Sequence, residues 1–302
     1  MKKMKIYIVT YRRSGILNDS LDKLFSSDFS KLEGKLPTEV NIINNHTEFS
    51  LRPEFEKRVN VLHNVLRPDW SNGNVSENYN QAFINGVIDL QKPATELLVT
   101  MQNDAAVHPN WCEHLFDMLY GQKFNFVVGH FGDNVVCHTP ESIKKIGMWD
   151  ENLPAQYKEP DYWIRALAYN KEKSCINDTL HGLESNNENA LDIDIVEDRV
   201  FIEEDGFKGD KTLKRRPDDE EHYEIWKTSR GGIYKELAWN YFYQKWSGTW
   251  KSEPTKQGWV KQWSKDFVES PPDPMKSKFK NFVKYVYFEK DIENLRGKNY
   301  LL

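Results

Sequence analysis

The chain has few cysteines, no long apolar run and no excess of positive charge. Its 302 residues include three cysteines, Cys112, Cys137 and Cys175. None falls in a CxxC spacing, so neither a disulfide framework nor a zinc site is indicated, and each reads as a buried apolar thiol. No stretch approaches the roughly 18 apolar residues that a membrane span requires. The basic opening, MKKMKIYIVTYRR, contains only Ile6 to Val9 as an apolar run. That is too short for a signal-peptide core and predicts a first buried strand. The balance of 41 Lys+Arg against 46 Asp+Glu gives a formal charge of −5. Such a balance offers no electrostatic footprint for gripping phosphate backbones, so nucleic acid is not an expected partner.

Aromatic residues, by contrast, are plentiful. Ten Trp, fourteen Tyr and sixteen Phe make up 13% of the chain, within a hydrophobic fraction of 39%. This composition excludes a disordered chain and predicts a globular cytoplasmic protein large enough to bury a real core.

Over the first 130 residues short apolar runs alternate with helix-period segments, the pattern of βαβ units around a largely parallel sheet. Strands are expected at Ile6–Val9, Val40–Ile43, Val59–Leu62, Glu96–Met101 and Phe124–Val128. Helices are marked by Leu17, Leu21, Leu24 and Phe25, then by Tyr79, Phe83 and Val87 with Ser76 as cap. A third is marked by Trp111, Leu115, Met118 and Leu119 with Asn110 as cap. Residues 186–222 are polar and charged and read as a surface excursion. Beyond Tyr223 the chain turns aromatic, and SPPDP at 270–274 separates a last helix-like segment. Its Lys/aromatic stripe over 275–290 could make peripheral contact with an anionic membrane, or pack back on the main domain.

Three places carry chemistry. Asp104 follows the strand ending at Met101, and a carboxylate at the carboxyl end of a parallel strand faces a cleft. Such an aspartate can hold Mg²⁺ or Mn²⁺, whose other ligands come from substrate phosphates and water. Glu159 and Asp161 flank Pro160 at an expected helix start, where the helix dipole favours carboxylates. Asp161 and Arg165 are four apart and can pair along that helix. His181 follows the expected strand Ser174–Asn177 and carries little weight alone.

In this order the pieces resemble the inverting nucleotide-sugar glycosyltransferases of family 2. Ile8-Val9-Thr10-Tyr11-Arg12 is similar to that family's opening strand and TYNR turn, and Ile42 to Thr47 to its VDNGS segment. Asn72-Gly73 with Asn80 resembles the NxG…N helix beside the donor, and Met101 to Trp111 resembles LNNDxxxxPxW. Gly147 to Glu151 followed by Glu159 to Arg165 looks like GxFDExF…EDxDxxxR. Tyr241 to Trp246 resembles the YFxxKW that closes many catalytic domains of the family.

The resemblance implies an α/β fold of the GT-A type, Rossmann-like with a mostly parallel central sheet flanked by helices. The glycosyltransferase domain would span 1–250, with a helical, aromatic-rich appendage at 251–302. It implies a nucleoside-diphosphate-sugar donor, a glycan or lipid-linked glycan acceptor, and Mn²⁺ or Mg²⁺ held by Asp104 and His181. Thr10, Tyr11, Arg12, Asn44, Asn80, Asn103, Asp104 and Arg165 would line the donor. Trp149, Asp150 and Glu151 would line the acceptor side. Glu159 would be the base, with Asp161 and Arg165 positioning it and the helix start, and a single base implies inversion. Two departures stand out: Asn44 replaces the usual base-reading aspartate, and of the DxD element only Asp104 remains. Two alternatives are a sugar nucleotidyltransferase, for which Gly15 is a poor phosphate loop, and a sugar-binding module that has lost activity.

Overall fold

The computed structural model describes residues 2–30, 36–64, 74–129, 132–153 and 157–178, the backbone of 193–195, and residues 238, 241, 242, 245 and 246. The strands are β1 (Lys3–Thr10), β2 (Thr38–Asn44), β3 (Val59–His63), β4 (Thr95–Gln102), β5 (Ala105–Val107), β6 (Phe126–Val128), β7 (Val135–His138), β8 (Ser174–Ile176) and β9 (Ile193–Ile195). The α-helices are α1 (Ser14–Ser26), α2 (Pro53–Glu56), α3 (Val75–Val87), α4 (Trp111–Phe116), α5 (Pro140–Ile146) and α6 (Lys158–Asn170). Seven strands form one sheet in the order β3-β2-β1-β4-β7-β6-β8, and β5 pairs antiparallel with β9. Within the large sheet only β7 runs against the others. The fold is thus α/β with a mostly parallel sheet, as expected.

Strand alternation divides the core. Met4, Ile6 and Ile8 of β1 face one side, where they join Leu17, Leu21 and Leu24 of α1 and Trp111 and Leu115 of α4. Tyr7 faces the other side with Tyr79 and Phe83 of α3 and Tyr162 and Trp163 of α6. Each such leucine or isoleucine contributes about 1.5–3 kcal/mol by leaving water. Helix α3 lies unusually close to β4, because a Cβ on Gly86 would sit 2.1 Å from Leu98 Cδ1. Its cap is Asn74 rather than Ser76: the Asn74 side chain accepts from the Glu77 N–H at 3.0 Å. Ser76 is buried, and its hydroxyl donates to the Leu153 carbonyl at 2.7 Å. Asn110 does precede α4 but makes no side-chain capping bond.

The sequence reading omitted β7, and β7 matters for the site. Its reversal lays Val135 opposite Met101 and brings the Asn134 carbonyl to the Gln102 N–H at 3.0 Å. The amino end of β7 therefore shares an edge with the carboxyl ends of β1, β2 and β4. Helix α5 follows, capped by Thr139 with Pro140 in its first turn. It stops at Gly147, whose φ of 90° suits glycine alone. Helix α6 then begins after Tyr157, which holds a left-handed φ of 61°. All three cysteines are buried and unbridged. Among the described residues no helix is long and apolar enough to cross a membrane. The expected excursion at 186–222 and the appendage at 251–302 lie outside the described side chains.

Candidate active site

The strand ends of β1, β2 and β4 meet where parallel sheets open their ligand cleft. Asn103 donates from Nδ2 to Thr10 Oγ1 at 3.0 Å, and its N–H donates to the Val9 carbonyl at 3.1 Å. Beside them Asp104 is buried, with Oδ2 3.5 Å from the Arg13 guanidinium. Tyr11 is buried edge-on against His46, with ring centroids 4.9 Å apart. Arg12 turns away and donates to Glu48 at 2.8 Å. Of the two adjacent arginines, the one that reaches Asp104 is Arg13, which the motif reading had not singled out.

Asn44 is fully engaged. Its amide donates to the His46 carbonyl at 2.8 Å and meets His63 Nδ1 at 3.1 Å, while its Oδ1 accepts from the His46 N–H. It shapes the loop after β2. Asn80 is equally committed: it accepts from the Trp149 N–H at 2.8 Å and donates to the Trp149 carbonyl and to Glu151 Oε1, both at 2.9 Å. With Asn74, which donates to the Glu151 carbonyl at 2.8 Å, it clamps the 149–151 loop onto α3. Trp149 lies in the core, its indole stacked on Tyr162 at 4.2 Å. Glu151 is the partly exposed member of that loop.

Asp150 and Asp161 share a buried cation. Lys245 Nζ lies 2.8 Å from Asp150 Oδ2 and 2.5 Å from Asp161 Oδ1. Tyr241 donates to Asp150 at 2.9 Å, and Trp246 Nε1 donates to Asp161 at 3.1 Å. Arg165 completes the cluster with two bonds to Asp161 Oδ2 at 3.1 and 2.9 Å and a third to the Ile146 carbonyl at 2.7 Å. The Asp161–Arg165 pair expected from spacing is real, and it lies in the core rather than on the surface. Burial disfavours the charged form of Asp150, but the Lys245 ammonium and the Asn152 donors outweigh it and hold that carboxyl below its ordinary range.

A second buried cation sits at the start of α6. Lys158 Nζ is 2.9 Å from Asp133 Oδ2 and pairs also with Glu159 Oε1. Asp133 in turn accepts from Gln102 Nε2 at 2.6 Å, and its carbonyl accepts from Tyr79 Oη at 3.0 Å. Burial opposes charge on Asp133 and on Lys158 alike, yet each stabilises the other. The carboxyl is pushed below its usual range and the ammonium above it. Glu159 retains 7% exposure. Thr10 is thus bonded to Asn103, and Gln102, the residue before Asn103, is bonded to the Asp133 that shares Lys158 with Glu159.

No cluster of three or more His, Cys, Asp or Glu side chains suited to a metal occurs among the described residues. His181 lies outside those residues. Asp104 offers one hard oxygen ligand beside Arg13, so a cation there would have to take most of its ligands from elsewhere. Arg13, Asp133 and Lys158 were missed from sequence, and Lys245 stood there only as part of the Tyr241–Trp246 motif, with no role. Asp133 had a readable signal, standing in a Gly132-Asp133-Asn134 turn before an apolar run.

No protein-family model matches the chain, and no curated protein matches it. Solved structures with distant likeness do exist. The mannosyltransferase PcManGT from Pyrobaculum calidifontis, in complex with GDP-Man and Mn²⁺, is 10% identical, with a TM-score of 0.43 over 99% of this chain and 87% of its own. TarS 1-349 from S. aureus in complex with UDP is 11% identical, with a TM-score of 0.40 over 56% of each chain. Glucosyl-3-phosphoglycerate synthase from Mycobacterium tuberculosis, with Mn²⁺, UDP and glucosyl-3-phosphoglycerate, is 10% identical, with a TM-score of 0.37 over 55% of this chain and 65% of its own. The match spans only 34% of the longer TarS chain.

Proposed function

We propose that the protein is a GT-A-type glycosyltransferase of the family 2 kind, moving a sugar from a nucleoside diphosphate to a hydroxyl of a glycan or lipid-linked glycan. The observation that carries this reading is that Thr10 is hydrogen-bonded to Asn103 while Gln102, its chain neighbour at the end of β4, is linked through Asp133 and Lys158 to Glu159. Thr10, Asn103 and Glu159 come from three separated motifs of the resemblance, which supports reading them as parts of one site.

The donor diphosphate would lie beyond the ends of β1 and β4. Asp104, with His181, would hold Mn²⁺ or Mg²⁺ there. A bound cation supplies charge to stabilise the departing diphosphate. Arg13 adds a fixed positive charge beside the same carboxylate, serving the same electrostatic need. Glu159 takes the proton from the acceptor hydroxyl as its oxygen forms the bond to the anomeric carbon and the diphosphate leaves. One base acting on one face gives inversion at that carbon.

Asp161 and Arg165 hold the first turns of α6 in place. Trp149 and Asp150 shape the loop that presents Glu151 to the acceptor, Asn80 holds that loop to α3, and Asn44 sets the loop after β2 that would frame the donor. Lys245 and Trp246 belong to the catalytic unit on this account, which extends it to about residue 250. Glu159→Gln keeps the shape and removes the basicity, so donor-sugar turnover should fall by about 10²–10⁴-fold. Donor affinity by calorimetry should stay unchanged. Near-normal turnover in that variant removes Glu159 from the role.

A further inference from the structure

The buried lysine next to the proposed base has no part in the chemistry described so far. Lys158 is enclosed, and its ammonium is shared between Glu159 and Asp133. Asp133 is itself tethered from two other elements, by Gln102 at the end of β4 and by Tyr79 of α3 through its backbone carbonyl. A lysine on the surface would gain little from such a pair, but an enclosed one needs both anions to stay charged. The converse also holds. Without the ammonium, Glu159 and Asp133 would face each other as two enclosed carboxylates, and one of them would retain a proton.

We propose that Lys158, braced by Asp133, is a positioning residue that keeps the Glu159 carboxylate ionised and fixed in direction, ready to accept a proton. The inference rests on the reading of Glu159 as the base. Among the described residues, the charged and titratable groups shown to interact with this cluster are Asp133 from the turn before β7 and Tyr79 from α3, while Asp161 and Arg165 follow further along α6. Asp161 is neutralised by Lys245 and Arg165, and Tyr79 is held well above its ordinary range by burial and by Asp133. Lys158 is therefore the cation that acts on Glu159 most directly among the described residues.

The test is a carbon-13 NMR titration of the glutamate carboxyls, with the Glu159 signal assigned by its loss in Glu159→Gln. The Glu159 midpoint of the unaltered protein is the reference. In Lys158→Met it should rise by about one pH unit or more, and Lys158→Arg should restore it to within about half a unit. The acid limb of donor-sugar turnover should move with it, a tenfold loss of rate per pH unit below the midpoint, while KM for the donor holds. An unmoved midpoint in folded Lys158→Met overturns the proposal. Should that variant not fold, Lys158→Gln takes its place, with the same rise expected and an unmoved midpoint again overturning the proposal. Absence of any turnover, with the NMR shifts as expected, refutes the transferase reading and leaves the ion-pair device standing.

Discussion

His138 should make the protein lose stability in mild acid, by an amount that can be worked out. The imidazole ends β7 in the core, ringed by Phe83, Phe126 and Tyr162 at centroid distances of 4.8, 4.9 and 5.5 Å. Neither ring nitrogen has a hydrogen-bond partner among the described residues. Burial therefore disfavours the imidazolium and pushes the pKa down to about 3. In the unfolded chain the same group titrates near 6.5. Below that value the unfolded state binds a proton that the folded state refuses, so stability is retained above pH ~6.5 and lost as pH falls toward about 3. Between about pH 7.5 and about pH 5 the loss comes to roughly 2 kcal/mol. Urea unfolding at the two pH values should show that loss in the unaltered protein and lack it in His138→Phe. The low-lying carboxyls Asp133 and Asp150 titrate alike in both proteins and cancel in the comparison. Equal acid sensitivity of the two proteins, within about 0.5 kcal/mol, would refute the reasoning.

Other consequences follow from the same contacts. Lys245→Met leaves Asp150 and Asp161 enclosed without their shared cation and should cost about 3–5 kcal/mol in urea unfolding; a cost below about 1 kcal/mol would mean that water reaches the pair. Gly86→Ala forces a methyl onto Leu98 Cδ1 and should destabilise by about 1–3 kcal/mol, with Leu98→Ala in the same chain relieving the clash and leaving a non-additive double mutant. Asp104→Ala should abolish the effect of Mn²⁺ on donor affinity by calorimetry, whereas an equal Mn²⁺ effect in both proteins would dismiss Asp104 as ligand.

Much of the frame was legible from periodicity. Strands β1 to β4 stand where apolar runs bounded by polar segments put them, and helices α1, α3 and α6 where apolar spacing or the chemistry of a helix start put them. The reversed strand β7 escaped notice. Val135 to His138 is four residues long and buried on both faces, so it carries neither alternation nor length to distinguish it. With β7 went Asp133, whose importance depends on an antiparallel pairing that no local pattern reveals. The polar motif residues were found, yet spacing could not say which way they point. Asn44, Asn80, Asp161 and Arg165 spend their hydrogen bonds holding loops and helix α6. Arg13 rather than Arg12 reaches Asp104, since the φ of 62° at Arg12 turns the chain between them. Lys245 illustrates the same limit, for its partners lie 95 and 84 residues earlier in the chain and only tertiary packing joins them.

The most direct test of the central claim is release of nucleoside diphosphate from UDP-, GDP- and dTDP-sugars by the purified chain, with and without Mn²⁺. The account predicts release from at least one donor, stimulated by Mn²⁺ and lost in Glu159→Gln. No release from any donor, together with no affinity for any nucleoside diphosphate, would contradict it.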